Sequence, residues 1–98
     1  MDIAMTLTAL ENMIDALGAK SPKERISTLA TIRSILEEFY TYIDRSKTLR
    51  DTPGALEHIS AMLSPLRVQD RALADIQDTR WLTQSIAHLR SRKCFNVY

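Results

Sequence analysis

The chain has 98 residues, 45% hydrophobic and 26% charged, which is one small domain of ordinary globular composition. Its formal net charge of +1 carries no signature of a strongly acidic or basic partner. One cysteine, Cys94, excludes an internal disulfide, and no apolar run approaches the ~20 residues of a membrane span.

A single cysteine fits a reducing compartment. The N-terminal stretch MDIAMTLTAL has an acid at position 2 and no basic n-region, so it does not read as a signal peptide. The expected location is the cytoplasm. A chain of this size buries roughly two-thirds of its unfolded surface, so its core is modest and self-association would add to it.

The first helix is expected over 2–17. Ile3, Leu7, Leu10, Ile14 and Leu17 follow one another at spacings of four and three, a narrow seam of the kind coiled coils use. The seam covers about two heptads, short of the three or four a coiled coil needs, so an ordinary bundle helix is favoured. A second face holds Met5, Ala9, Met13 and Ala16. Small residues there allow close approach of another helix, and Met5 and Met13 adapt to irregular partners. Gly18 is expected to end the helix in a left-handed conformation. The short loop 18–20 then makes helices 1 and 2 an antiparallel hairpin.

The helix over 22–47 has the clearest signals. Ser21 is an N-cap, Pro22 stands at the first helical position, and Glu24 completes an S-x-x-E capping box. Leu29, Ile32, Leu36, Phe39 and Ile43 form one face, widened by Ile35 and Tyr42 on one side and Tyr40 and Ile26 on the other. At 100° per residue the arc from Tyr42 to Tyr40 is roughly 160° wide, against ~100° for an ordinary surface helix. It needs two neighbours, or one neighbour and a partner chain. Ser27, Thr31, Ser34, Glu37, Glu38, Thr41 and Arg45 form the expected wet side.

The stretch 50–54 breaks the chain, with Thr52 as cap and Pro53 as first helical residue. Helix 3 is expected over 53–63, with Leu56, Ile59 and Leu63 inward and Met62 beside them. Ser64-Pro65 repeats the cap-then-proline pattern, so a fourth helix is expected to start there and run over 65–77, with a kinked continuous helix as the alternative. Leu66, Leu73 and Ile76 share one face, and Leu82, Ile86 and Leu89 share another. On one ideal helix these stripes are about 150° apart, which favours a break at Asp78-Thr79 and a fifth helix over 79–92. A single straight helix with different neighbours at its ends is the alternative. Arg90, Arg92 and Lys93 complement the dipole of that last helix. Residues 94–98 form a short irregular, extended tail whose Phe95, Val97 and Tyr98 either fold back or dock on a partner. The expected fold is thus all-α: a single helical domain over 1–93, a small antiparallel bundle of four to five helices.

Little in the sequence points to chemistry. Gly18 and Gly54 are the two glycines, so there is no Gly-rich phosphate loop. His58, His88 and Cys94 stand at no metal-ligand spacing. A Cys94–His88 nucleophile pair lacks a visible third group, and Glu37-Glu38 read as surface charges. The expectation is a protein that is not an enzyme, with no cofactor, no metal and no small-molecule substrate.

Two binding readings remain. In DTRWLTQSIAHLRSRK, the residues Arg80, Gln84, His88 and Arg92 recur every four positions, opposite Leu82, Ile86 and Leu89. Arg and Gln read base edges in a major groove. This stretch resembles a winged-helix recognition helix followed by a short strand, CFNVY. It covers under a fifth of the chain and lacks the Gly-rich wing. The weak charge makes a DNA-binding regulator the second choice. The favoured reading is a protein-interaction module: an adaptor, chaperone or inhibitor of a larger protein, or a homo-oligomer. Such a small core has more apolar faces than it needs. The residues expected to meet the partner are Met5, Met13, Trp81, Leu82, Ile86, Phe95 and Tyr98, with Trp81 as a favoured anchor type.

Overall fold

Asp2 begins the first helix. Its backbone is extended, and its carboxylate accepts a hydrogen bond from the Met5 backbone N–H at 3.1 Å. One of the four unpaired donors of the first turn is thereby satisfied. The computed structural model describes residues 2–46, 52–67 and 80–91, and these form four α-helices with no strand. The first, α1, spans Ile3–Ala16 and ends in a single 3₁₀ turn, Leu17–Ala19.

Gly18 lies inside that turn, and its φ is outside the left-handed range. The left-handed ending expected from the sequence is therefore corrected. The chain tightens to i→i+3 bonding instead, with Lys20 N–H donating to the Leu17 carbonyl at 3.2 Å. Such bonds satisfy terminal carbonyls without a left-handed residue.

The second helix, α2, spans Pro22–Ser46. The Ser21 hydroxyl oxygen accepts from the Glu24 N–H at 3.3 Å, and the hydroxyl donates to the Glu24 carboxylate at 3.1 Å. The Ser21 carbonyl accepts the first intrahelical bond, from Arg25 N–H at 2.9 Å. The 25 residues of α2 rise about 37 Å at 1.5 Å each, close to the 39 Å long axis of the molecule. Leu29, Ile32, Leu36, Phe39 and Ile43 are fully buried, while Ile35, Tyr40 and Tyr42 pack partly buried beside them. All seven residues of the expected wet side are exposed. Thr31 and Thr41 there return their hydroxyls to the carbonyls four residues back, at 3.1 and 3.0 Å.

The third helix, α3, spans Thr52–Leu66 and so contains Pro65. The helix boundary expected at Ser64-Pro65 is corrected: proline sits in the last turn rather than the first. The ring removes a donor, but only one turn remains to be closed. Arg67 N–H closes it on the Leu63 carbonyl at 3.0 Å, shared with Ser64 at 3.4 Å. Arg33 of α2 donates from Nη1 to the Leu66 carbonyl at 3.5 Å, placing a cation at the negative end of the helix. Leu66 completes an inward stripe with Ala55, Ile59, Met62 and Leu63, which is why the helix continues past the proline. The remainder of the helix expected over 65–77, from position 68 onward, with Leu73, Ile76 and the break at Asp78-Thr79, lies outside the described residues.

The fourth helix, α4, spans Arg80–Ser91 and buries Leu82, Ile86 and Leu89. Each helix has two principal neighbours: α2 and α4 both pack on α1 and on α3. Adjacent helices run antiparallel. Arg90 meets Thr8 and Glu11 while Thr83 lies beside Asp15, and His58 meets Ser85 while Pro65 lies beside Trp81. The apolar faces of all four meet in one continuous core.

A Cβ at Gly18 would meet nothing within 4 Å, and no left-handed φ forbids it. Gly18→Ala should therefore stabilise the fold by about 0.4–1 kcal/mol, by restricting the unfolded chain. Thermal unfolding followed by circular dichroism should show a midpoint raised by a few degrees. A lowered midpoint would contradict the geometry of this turn.

Candidate partner-binding surface

The seam of α1 is narrow, so most of the helix circumference stays outside the core. Leu7, Leu10, Ile14 and Leu17 face inward. The outer flank carries Met5, Ala9, Asn12, Met13 and Ala16, and the last three border α2. Met5 is 70% exposed, the large hydrophobic residue most open to solvent among the described residues. Ala9, Asn12 and Ala16 are exposed, whereas Met13 is half-buried and packs against the core. At the lower end of this flank a shallow groove runs between the two helices. Asn12, Met13, Ala16 and Lys20 form one wall, and Ser27, Thr28 and Thr31 of α2 form the other. The α2 wall is low because those side chains are short, and Thr28 turns its hydroxyl back to the Glu24 carbonyl at 2.8 Å.

The α4 residues divide sharply. Leu82 and Ile86 are 0% exposed and belong to the core. The expectation that they meet a partner is corrected: they fill the space between α1 and α3, and nothing outside the bundle reaches them. Trp81 is half-buried. It packs on the core at the rim of a groove shared with His58, Ala61, Met62, Pro65 and Ser85. His58 donates from Nε2 to the Ser85 carbonyl at 3.1 Å, and this ties α3 to α4. A carbonyl only accepts, so the proton of that bond is on Nε2. Arg80, Gln84 and His88 are all exposed on the outer side of α4. Arg92, Phe95 and Tyr98 lie outside the described residues.

Arg90 does more than complement a helix dipole. Its Nε donates to Glu11 at 2.6 Å and its Nη2 to Thr8 at 3.1 Å, which fastens α4 to α1. The two charged side chains are 41% and 38% exposed, so the pair contributes at most about 1 kcal/mol. No spacing in the sequence links residues so far apart, and Glu11 gave no signal. Among the described residues no three His, Cys, Asp or Glu side chains converge on a common point. No helix of the described residues is long and apolar enough to cross a membrane.

The contrast between Met5 and Leu82 is testable. Leu82→Asp or Ile86→Asp would bury an unpaired carboxylate, at a cost of several kcal/mol. That is comparable to the 5–15 kcal/mol that holds a typical domain together, so both variants should lose cooperative thermal unfolding. Met5→Lys should stay within about 0.5 kcal/mol of the parent. A Leu82→Asp protein with an unchanged melt would refute the core assignment. Comparison of the chain with protein-family models, with curated proteins and with solved structures finds no match.

Proposed function

We propose that this protein is a non-catalytic interaction module that docks on another protein, or on a further copy of itself, through the outer flank of α1. Adaptor, chaperone and inhibitor roles all draw on the same surface chemistry. The observation that carries the reading is Met5, 70% exposed at one end of a stripe that runs through Ala9 to the groove at Met13. An unbranched thioether is a poor group to leave in water and a good one to fit an irregular partner. The alanines beside it let a second helix approach closely. Trp81, at the α3/α4 rim, offers a second anchor of the type enriched in interfaces. A reducing cytoplasm is the proposed setting, in keeping with the single cysteine.

A second reading is favoured by the exposure of Arg80, Gln84 and His88 on one face of α4. That face has the side chains, though not the surrounding charge, of a DNA-binding helix. Salt separates the two readings. Contacts between protein and phosphate weaken steeply as salt rises, whereas apolar docking does not.

The immobilised chain should retain a specific partner, either a protein from its host or free copies of itself, at high salt. Met5→Lys combined with Met13→Gln should abolish that retention while leaving the thermal melt in place. Retention that ignores both substitutions, or that vanishes with salt and with Arg80→Ala, would overturn the interaction reading of α1.

A further inference from the structure

The α1 flank fits one occupant in particular. Ala9 stands four residues from Met5 and four from Met13, so it is the midpoint of the stripe. If a second α1 lies antiparallel across this flank with a two-fold axis beside Ala9, every residue meets its mirror position about that midpoint. Ala9 then faces the Ala9 of the other copy, and each Met5 falls level with the other copy's Met13. Ala9, Asn12, Met13 and Ala16 are related by steps of three and four residues. They form the diamond-shaped hole that a knob from a facing helix enters in coiled-coil packing. The protruding Met5 is the knob, and the shallow groove at Asn12, Met13 and Ala16 is the hole. Knob and hole lie on the same surface, as a two-fold interface requires.

Charge is placed to match. Asp2 opens the stripe and Lys20 closes it, on the rim of the same groove. In the antiparallel arrangement Asp2 of one copy lies level with Ala16 of the other, four residues before Lys20 and joined to it by the 3₁₀ turn. The symmetry forms the pair twice, whereas a parallel arrangement would set Asp2 against Asp2.

We infer that the partner of this face is a second copy of this chain, joined antiparallel along α1 with Met5 of each copy seated between Asn12, Met13 and Ala16 of the other. The inference rests on the interaction reading above and names its occupant.

The test is absolute mass in solution by light scattering across a concentration series, joined to thiol cross-linking in a Cys94→Ser background. The parent should show twice the chain mass, at low and at high salt, and Met5→Lys should return it to one chain with its melt intact. A short bifunctional thiol reagent should link Ala9→Cys to itself. It should leave Met5→Cys unlinked and should link the Met5→Cys, Met13→Cys double variant. A parent that is monomeric throughout overturns the second-copy inference. So does a dimer that survives Met5→Lys, or one that cross-links through Met5→Cys alone. A monomeric parent that still retains another protein through Met5 and Met13 would defeat this inference and leave the interaction reading standing. Loss of both would defeat the two together.

Discussion

The apolar stripe of α2 covers roughly 160° of its circumference, more than one neighbouring helix can shield. Leu29, Ile32, Leu36, Phe39 and Ile43 run along its centre and are fully buried. Ile35 and Tyr42 sit on one margin and Tyr40 on the other, each partly covered. Two helices must therefore lie against α2, and α1 and α3 do so from opposite margins. Those two then leave their own inner faces open on the side away from α2. Leu82, Ile86 and Leu89 of α4 fill that space, and the ring closes. The four-helix arrangement thus follows from the width of one stripe, and the other helices are placed by what it leaves uncovered.

Polar contacts set the details once the core has set the arrangement. No polar or charged side chain is buried among the described residues, so the interior is specified by shape alone. The directional bonds are at helix ends and along seams. Asp2 and Ser21 cap the starts of α1 and α2, and Arg33 meets the end of α3. His58 fixes the level of α4 against α3, and Arg90 fixes it against α1. An exposed pair such as Arg67–Glu37, at 3.7 Å and about half solvent-exposed on both sides, adds little energy. Its contribution is to favour one sliding position of α3 on α2.

Much of the fold was legible because helix periodicity and cap chemistry are local. The boundaries near Ser21 and Pro22, the inward residues of α1 and α2 and the wet side of α2 can all be read from short windows. The same locality explains the errors. Pro65 looked like a helix start because Ser64 precedes it, yet Leu66 continues the stripe of Ile59, Met62 and Leu63 and holds the proline in the final turn. Leu82 and Ile86 looked surplus because periodicity says which face is apolar and is silent on what covers it. Of the proposed surface, the Met5–Ala9–Met13–Ala16 stripe was visible as a pattern. The groove beside Met13 was not, since its second wall comes from Ser27, Thr28 and Thr31 of another helix. The tie between Glu11 and Arg90 spans 79 positions and leaves no trace in any local window.

That span also orders the assembly of the bundle. Between α1 and α2 stand five residues, 17–21, tightened by the 3₁₀ turn, so bringing these two helices together closes a very short loop. Joining α1 to α4 through Glu11 and Arg90 closes a loop of 79 residues. Loop-closure entropy grows with the logarithm of loop length, and this difference amounts to about 2.5 kcal/mol. The N-terminal hairpin is among the least costly tertiary units to form and the α1–α4 seam the most costly. A chain emerging from the ribosome therefore has its hairpin available long before α4 exists to complete the ring. Until then, the inner flank of α1 that α4 will cover stands open to solvent and to other chains.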